Sequence, residues 1–313
     1  MIELMISLTL GLLLLATLTS LFLGQSRARA ELDRANRLIE NGRYAMEVLS
    51  DDVRLAGYYG ELDPSSVALP GAAPDPCATA AADIALALRL HIQGYDDATA
   101  GSKPTCVPAV VSGTDVLVVR RVATIASPAP TAATAAPYLQ VSLCQHDVTP
   151  YKVDKDDFDL HQKDCTSSTT GTLATVRRFL VHIYFIAPEN SAGDGIPTLK
   201  RAELAADGSF TTTALVEGVQ NMQIDYGIDT NNDGAVDNYS DCSGCTLAQW
   251  ANVVGARISL LARNQESTAG YADAKTYTLG GAGTVGPFND GFKRRVYSEF
   301  VRLANPAGRK ETS

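Results

Sequence analysis

A run of oxygen-bearing side chains between Asp229 and Asp237 carries the clearest chemical pattern in this chain of 313 residues. The segment reads DTNNDGAVD, with side-chain oxygens at its first, third, fifth and ninth positions and glycine at its sixth. This is the start of an EF-hand-type calcium loop, in which oxygens surround a hard cation and the glycine permits a sharp turn. The predicted calcium ligands are Asp229, Asn231, Asp233, the carbonyl of Ala235, and Asp237.

The end of this loop departs from the calcium pattern. The twelfth position is Ser240, where a calcium loop of this type has a glutamate that binds with both oxygens. We therefore expect weak affinity. A polar hairpin loop without metal remains an alternative, because Asp, Asn and Gly also favour ordinary turns.

Catalytic motifs are not found in the sequence. The four histidines show no close metal-binding spacing, and there is no nucleophile elbow, phosphate-binding loop or dinucleotide-binding glycine motif. His182 falls within a predicted strand and is interpreted as a structural residue. We therefore predict a protein that is not an enzyme.

Six cysteines suggest an oxidising compartment, because an even number favours disulfides. Although fifteen pairings are conceivable, pairing in sequence order closes three loops that otherwise lack regular structure. The predicted disulfides are Cys77–Cys106, Cys144–Cys165 and Cys242–Cys245. The last pair lies in a CSGC motif, which we interpret as a loop staple because no strand and helix surround it as in a redox site.

The N-terminal segment is long and apolar enough to anchor the rest of the chain in a membrane. From Leu4 to Leu23 the sequence has twenty residues without a charge, preceded by Glu3. As a helix this run spans about 30 Å, the thickness of the hydrocarbon layer of a bilayer. A carboxylate in such surroundings is costly unless it meets a positive partner, so we expect Glu3 to act in subunit assembly.

The predicted helix continues beyond the apolar run. No proline occurs before Pro64, and apolar or small residues recur at alternating spacings of four and three from Ala35 to Ala56. Gly57 is expected to end the helix. The chain thus divides into an apolar helix half over 1–24, an amphipathic half over 25–57, and a globular domain over 58–313.

The globular domain is predicted to consist mostly of strands. Alternating or apolar runs predict strands at the following positions: 116–119, 139–143, 179–186, 214–228, 254–262 and 296–303. One long helix followed by strands indicates an α+β fold, with an antiparallel sheet packed on the amphipathic half-helix. A low-complexity connector at 127–137 is expected inside an inserted region, about 61–170, that precedes the sheet.

Composition limits the classes of partner. With 45% hydrophobic and 19% charged residues, the chain is not of the disordered class. Its net charge of −9 argues against an overall electrostatic attraction to nucleic acid, and no nucleic-acid partner is expected.

Several segments together resemble a known family. The N-terminal MIELMISLTLGLLLL, then NGRY at 41–44 and LAGY at 55–58, are similar to the N-terminus of type IV pilin-like proteins, most of all the PilW-type minor pilins of bacterial type IV pili. Farther along, YGID at 226–229, RISLL at 257–261 and RRVYS at 294–298 extend the resemblance. Such proteins normally carry a short basic leader before the acid. In the sequence given only two residues precede Glu3, and we attribute this difference to the assignment of the start site or to trimming of the chain.

The resemblance implies a pilin-like fold and a non-enzymatic assembly subunit that initiates or caps a pilus. It implies an inner-membrane anchor with the globular domain in the periplasm, and incorporation into the extracellular pilus. The implied partners are other minor pilins, the major pilin and the inner-membrane assembly machinery. Three alternatives stay open: a type II secretion pseudopilin, a pilus-tip adhesin, and a membrane-tethered periplasmic enzyme.

Overall fold

The computed structural model describes residues 2–130 and 133–311, so residues 131 and 132 of the predicted connector lie outside the described residues. The helices are α1 (Ile2–Arg54), α2 (Ala81–Leu86), α3 (Leu247–Ala251) and α4 (Ala304–Lys310). The strands are β1 (Ile92–Ala98), β2 (Thr114–Val122), β3 (Tyr138–Val141), β4 (Tyr151–Asp154), β5 (Val176–Ala187), β6 (Thr198–Leu204), β7 (Phe210–Glu217), β8 (Val219–Ile228), β9 (Asn238–Ser240), β10 (Val253–Arg263), β11 (Tyr277–Thr278), β12 (Thr284–Val285) and β13 (Arg294–Arg302).

Helix α1 has nearly the length that the sequence predicts. It runs without interruption from Ile2 to Arg54, and the following three residues form a turn. Gly57 adopts a φ of 71° there, and its N–H donates to the carbonyl of Arg120 at 3.0 Å. A glycine in this left-handed conformation ends a helix at little steric cost, which agrees with its predicted role.

The described residues form three antiparallel sheets: two large enough to build the core of the globular domain, and the short pair β11-β12. In the larger, seven-stranded among the described residues, the strands run in the order β1-β2-β5-β3-β4, and β6 and β7 extend it from the second half of β5. The smaller sheet has the order β13-β10-β8-β9. The prediction of an α+β fold with antiparallel strands is confirmed.

The hydrophobic core has two layers. One lies between α1 and the facing surfaces of both sheets, and contains Leu49 and Val53 of the helix with Leu117 of β2 and Ile258 of β10. The other covers the opposite face of the large sheet, where residues between Tyr59 and Leu88 pack on β2 and β5. The large sheet is therefore buried on both faces, which explains the long apolar runs in its central strands.

The predicted strand at 214–228 is in fact two strands that belong to different sheets. The chain breaks at Gly218, whose φ is 82°, and β7 and β8 lie on either side of it. A Cβ at this position would lie 2.7 Å from the carbonyl oxygen of Arg263, so only glycine allows the crossing. Apolar periodicity continues through this break, which is why sequence reasoning joined the two strands.

The segment over 61–170 also differs from expectation. Instead of preceding the sheet, it contributes β1, β2, β3 and β4 to the large sheet, where β2 lies next to β5. Strand β1 carries a glycine and two aspartates, so its sequence lacks the alternation that identifies a strand.

Candidate functional site

The apolar half of α1 lies outside the globular domain. Every Leu, Ile, Met and Phe from Ile2 to Leu23 is between 50% and 75% exposed. The hydroxyls of this half, those of Ser7, Thr9, Thr17, Thr19 and Ser20, donate to backbone carbonyls three or four residues earlier. A helix that satisfies its own polar groups suits an environment without water, and this one is long and apolar enough to cross a membrane.

Glu3 is exposed in the first turn of α1. Among residues 2–130 and 133–311 no cation forms an ion pair with its carboxylate.

A buried charge cluster fixes the C-terminal end of α1. Asp52, 6% exposed, accepts hydrogen bonds from Arg121 Nε at 2.7 Å, His182 Nδ1 at 2.7 Å and the Tyr184 hydroxyl at 2.9 Å. Burial alone would raise the pKa of Asp52, but hydrogen bonding and the charges of His182 and Arg121 hold it at about 2. The carboxylate thus joins the helix to β2 and β5. It also gives His182 a hydrogen-bond partner on α1, in agreement with a structural role for this histidine.

A second cluster of charged groups holds α1 nearer to its N-terminus, at Glu31. Glu31 accepts from Lys293 Nζ at 2.6 Å and from the Thr268 hydroxyl at 3.2 Å, and Arg34 links it to Glu266. The hydrogen bond from Lys293 is the main reason that the pKa of Glu31 is lowered. The two charge clusters are 21 residues, or about 30 Å, apart on the helix, and residues between them, such as Leu49, pack in the core.

The predicted calcium loop connects β8 and β9. Asp229 is fully buried; its Oδ1 accepts from the N–H of Asn232 at 2.6 Å, and its Oδ2 accepts from the N–H of Gly234 at 2.9 Å. Lys310 Nζ lies 3.1 Å from the same Oδ2. Burial would raise the pKa of Asp229, but these N–H groups and Lys310 lower it, so the group is a carboxylate at neutral pH.

The remaining predicted ligands face one another across the loop. Asn231 Nδ2 lies 3.1 Å from Asp233 Oδ2 and 3.4 Å from Asp237 Oδ1, and the N–H of Ala235 donates to Asp233 Oδ1 at 2.8 Å. Gly234, at the sixth position, has a φ of 82°, as the sharp turn requires. The loop brings the side chains together, while Lys310 already compensates part of their charge, so calcium binding stays a prediction.

The disulfides of the structure join the cysteines in sequence order, as predicted. They are Cys77–Cys106, Cys144–Cys165 and Cys242–Cys245. No free cysteine occurs within the part of the chain that the structure describes. The CSGC disulfide lies between β9 and α3 and closes a loop beside the small sheet.

An acidic cluster that sequence reasoning missed lies at one edge of the large sheet. Asp96 and Asp97 of β1 and Asp115 of β2 each place a carboxylate oxygen within 4.8 Å of the other two. Asp115 is 2% exposed, and burial, opposed by hydrogen bonds and assisted by the charges of Asp96 and Asp97, raises its pKa to about 7. The available signal was an aspartate directly before the apolar run that begins at Val116.

Comparison with known proteins connects the C-terminal part of the chain with pilus assembly. A family model described as Type IV Pilus-assembly protein W matches residues 183–305. The matched stretch begins within β5, contains the Asp229–Asp237 loop and the small sheet, and ends in α4. No curated protein and no solved structure gives a significant match.

Proposed function

We propose that this chain is a minor pilin, a non-enzymatic subunit that helps to initiate or cap a bacterial type IV pilus. The observation that carries the proposal is the exposure of the apolar half of α1. Each of its large hydrophobic side chains is at least 50% exposed. Full burial of one such side chain is worth about 1.5–3 kcal/mol, so the segment requires lipid or other apolar helices around it. A minor pilin uses both environments in turn.

The attachment of α1 to the domain supports the same role. The helix half that packs on β13 and β10 is fixed by the Asp52 and Glu31 clusters, while the apolar half extends beyond them. A subunit built in this way can move from bilayer to filament as a rigid unit. The similarity of residues 183–305 to type IV pilus assembly protein W agrees with this assignment.

Glu3 is proposed to pair with the N-terminal amine of a neighbouring pilin. In the low dielectric of a lipid or helix-packed core, an ion pair is strongly favoured over either charge alone. The partners would be other minor pilins and the major pilin, delivered with the help of the inner-membrane machinery, and the domain would stand in the periplasm. The three disulfides support this location, because disulfides form and persist in the oxidising periplasm.

The test compares Glu3→Ala with Asp33→Ala in the bacterium that encodes the protein, after deletion of the chromosomal copy. Asp33 is an exposed acid on the same helix but outside the apolar half, so it controls for loss of charge. We expect Glu3→Ala to reduce pilus number and the amount of the chain in sheared pili at least tenfold, with membrane levels unchanged. Equal incorporation of the two variants would contradict the role of Glu3.

The alternatives predict other outcomes of the same strains. Normal pili together with lost protein secretion would indicate a type II secretion pseudopilin. Normal pilus number with lost surface attachment would indicate a tip adhesin. A membrane-tethered enzyme would leave pili and attachment unchanged in the deletion strain.

A further inference from the structure

We propose that Asp96, Asp97 and Asp115, together with the hydroxyl of Tyr226, bind a calcium ion that joins the large sheet to the small one. This site is separate from the Asp229–Asp237 loop and independent of the role in pili. Its three carboxylates come from β1 and β2, and its hydroxyl comes from β8 of the other sheet.

The spacing of the carboxylates fits one calcium ion. One oxygen from each aspartate lies within 4.8 Å of the other two. Since calcium–oxygen bonds are 2.3–2.6 Å long, ligands on opposite sides of the ion are about 4.6–5.2 Å apart, and closer ligands sit at smaller angles. The three oxygens can therefore share one ion without rearrangement of the strands.

The hydroxyl of Tyr226 is an independent observation that points to a ligand. Tyr226 is 1% exposed, and its hydroxyl has no hydrogen-bond partner among the described residues. It lies over the backbone of β1, 2.1 Å from where a Cβ of Gly94 would stand, and Asp96 is two residues farther along that strand. Ile224, two residues before Tyr226 on β8, donates its N–H to Asp115 Oδ2 at 2.7 Å, so this part of β8 meets the carboxylates. A buried hydroxyl without a partner is destabilising, and a bound cation would offset that cost.

The charge of the cluster is not compensated by protein cations. Within the described ranges, no lysine, arginine or histidine forms an ion pair with the three aspartates. Asp241, beside the CSGC disulfide, adds to the negative charge around Asp96. Each additional carboxylate increases the repulsion among the ionised groups, and a divalent cation bound between them would relieve it.

The carboxylates retain capacity for metal binding despite their hydrogen bonds. Asp115 accepts one N–H at each oxygen, from Asp97 at 3.1 Å and from Ile224 of β8 at 2.7 Å. Each carboxylate oxygen has a second lone pair, so the ion can bind without loss of these bonds. Because Asp115 already reaches β8 through Ile224, an ion here would strengthen the junction of the two sheets.

The test uses the full-length protein in detergent, stripped of metal with a chelator and titrated with calcium chloride by calorimetry. The background variant Asp233→Ala weakens the Asp229–Asp237 loop, so that binding at the cluster is seen separately. We expect one saturable site in this background, with a dissociation constant of about 10⁻⁴ to 10⁻³ M, as in extracellular calcium modules. Terbium bound at the cluster should be excited through Trp250, whose ring lies 4.7 Å from that of Tyr226.

The deciding variant adds Asp96→Asn and Asp97→Asn to the same background. Asparagine tolerates the positive φ of 43° at position 97, so the backbone is retained. The control replaces two exposed acids elsewhere, with Asp33→Asn and Asp83→Asn. We expect at least a tenfold loss of calcium affinity and of terbium emission in the first variant and none in the control.

Two results would overturn the proposal. One is unchanged affinity after the Asp96 and Asp97 substitutions, and the other is no saturable binding in the Asp233→Ala background up to 10 mM calcium, roughly ten times the weakest constant expected. If the double variant does not fold, Tyr226→Phe decides, since it removes only an unpaired hydroxyl. Weaker calcium binding by a folded Tyr226→Phe protein supports the site, and equal binding contradicts it.

Discussion

Replacement of Asp52 by alanine should weaken the attachment of the long helix to the sheet that it packs on and destabilise the domain. The substitution leaves the guanidinium of Arg121, the ring of His182 and the hydroxyl of Tyr184 buried without their shared acceptor. Loss of one partner from a buried charge cluster costs about 3–5 kcal/mol, because the remaining charge is left uncompensated. This is a large part of the total stability of a domain, which is about 5–15 kcal/mol.

The pH dependence of stability gives a second measure of the same cluster. The pKa of Asp52 is about 2 in the folded protein against 3.8 for the free group. Since each pKa unit corresponds to about 1.4 kcal/mol, the cluster contributes about 2 kcal/mol through this carboxylate. Because the folded pKa is the lower one, this contribution is complete above about pH 5 and is lost as the pH falls through 3.8 towards 2.

The assay is urea unfolding of the full-length protein in detergent, followed by the fluorescence of Trp250. The matched control is Asp51→Ala, which removes the adjacent acid and its exposed ion pair with Arg54 and should cost less than about 1 kcal/mol. Asp52→Asn tests the pH dependence, since its difference from the wild type should shrink below pH 4. A cost of Asp52→Ala within 1 kcal/mol of the Asp51→Ala cost, on the order of the scatter of exposed pairs, would refute the reasoning.

Three further predictions concern other parts of the structure. Gly42→Ala should destabilise the protein by about 1–3 kcal/mol, because the new Cβ would lie 2.1 Å from a tyrosine ring of β13; Gly11→Ala, with nothing within 4 Å, should not lower the melting temperature. Burial lowers the pKa of His91 to about 4, so stability should be full above pH 6.5 and decrease towards pH 4, and an NMR titration that protonates this ring near pH 6.5 would contradict the prediction. Joint replacement of Cys77 and Cys106 by serine should cost about 3–4 kcal/mol by the chain-entropy relation, since the bond joins residues separated by 29 positions; an unchanged unfolding midpoint would show that this loop is ordered without the bond.

The sequence predicts those parts of the fold that depend on local pattern. The apolar run and the spacing from Ala35 to Ala56 are sufficient for α1, and the central strands β2, β5 and β10 are sufficiently apolar to be recognised. The position of Gly218 between two apolar strands is not enough to predict two sheets. That outcome depends on a close approach to Arg263, which the local sequence does not indicate.

Contacts between distant residues limit the prediction of the site. Asp52 and His182 are 130 residues apart in sequence, and nothing near either residue identifies the other. The calcium loop is a local pattern and could be found, but Lys310 reaches it from 81 residues away. The cluster at Asp115 was missed for the same reason, since β1 and β2 become neighbours only in the folded sheet.

The domain holds α1 from Glu31 to its C-terminal end, so the apolar half projects from that part like a cantilever. The free part from Ile2 to Glu31 extends about 45 Å beyond the Glu31 cluster, and the Glu31 and Asp52 clusters stand about 30 Å apart. A sideways slack of 1 Å at either cluster would therefore swing the tip by roughly 1.5 Å or more, simply from the ratio of these lengths. The orientation of the N-terminal half is thus set by side chains far from it. Loss of either cluster should widen the range of directions in which the subunit presents Glu3.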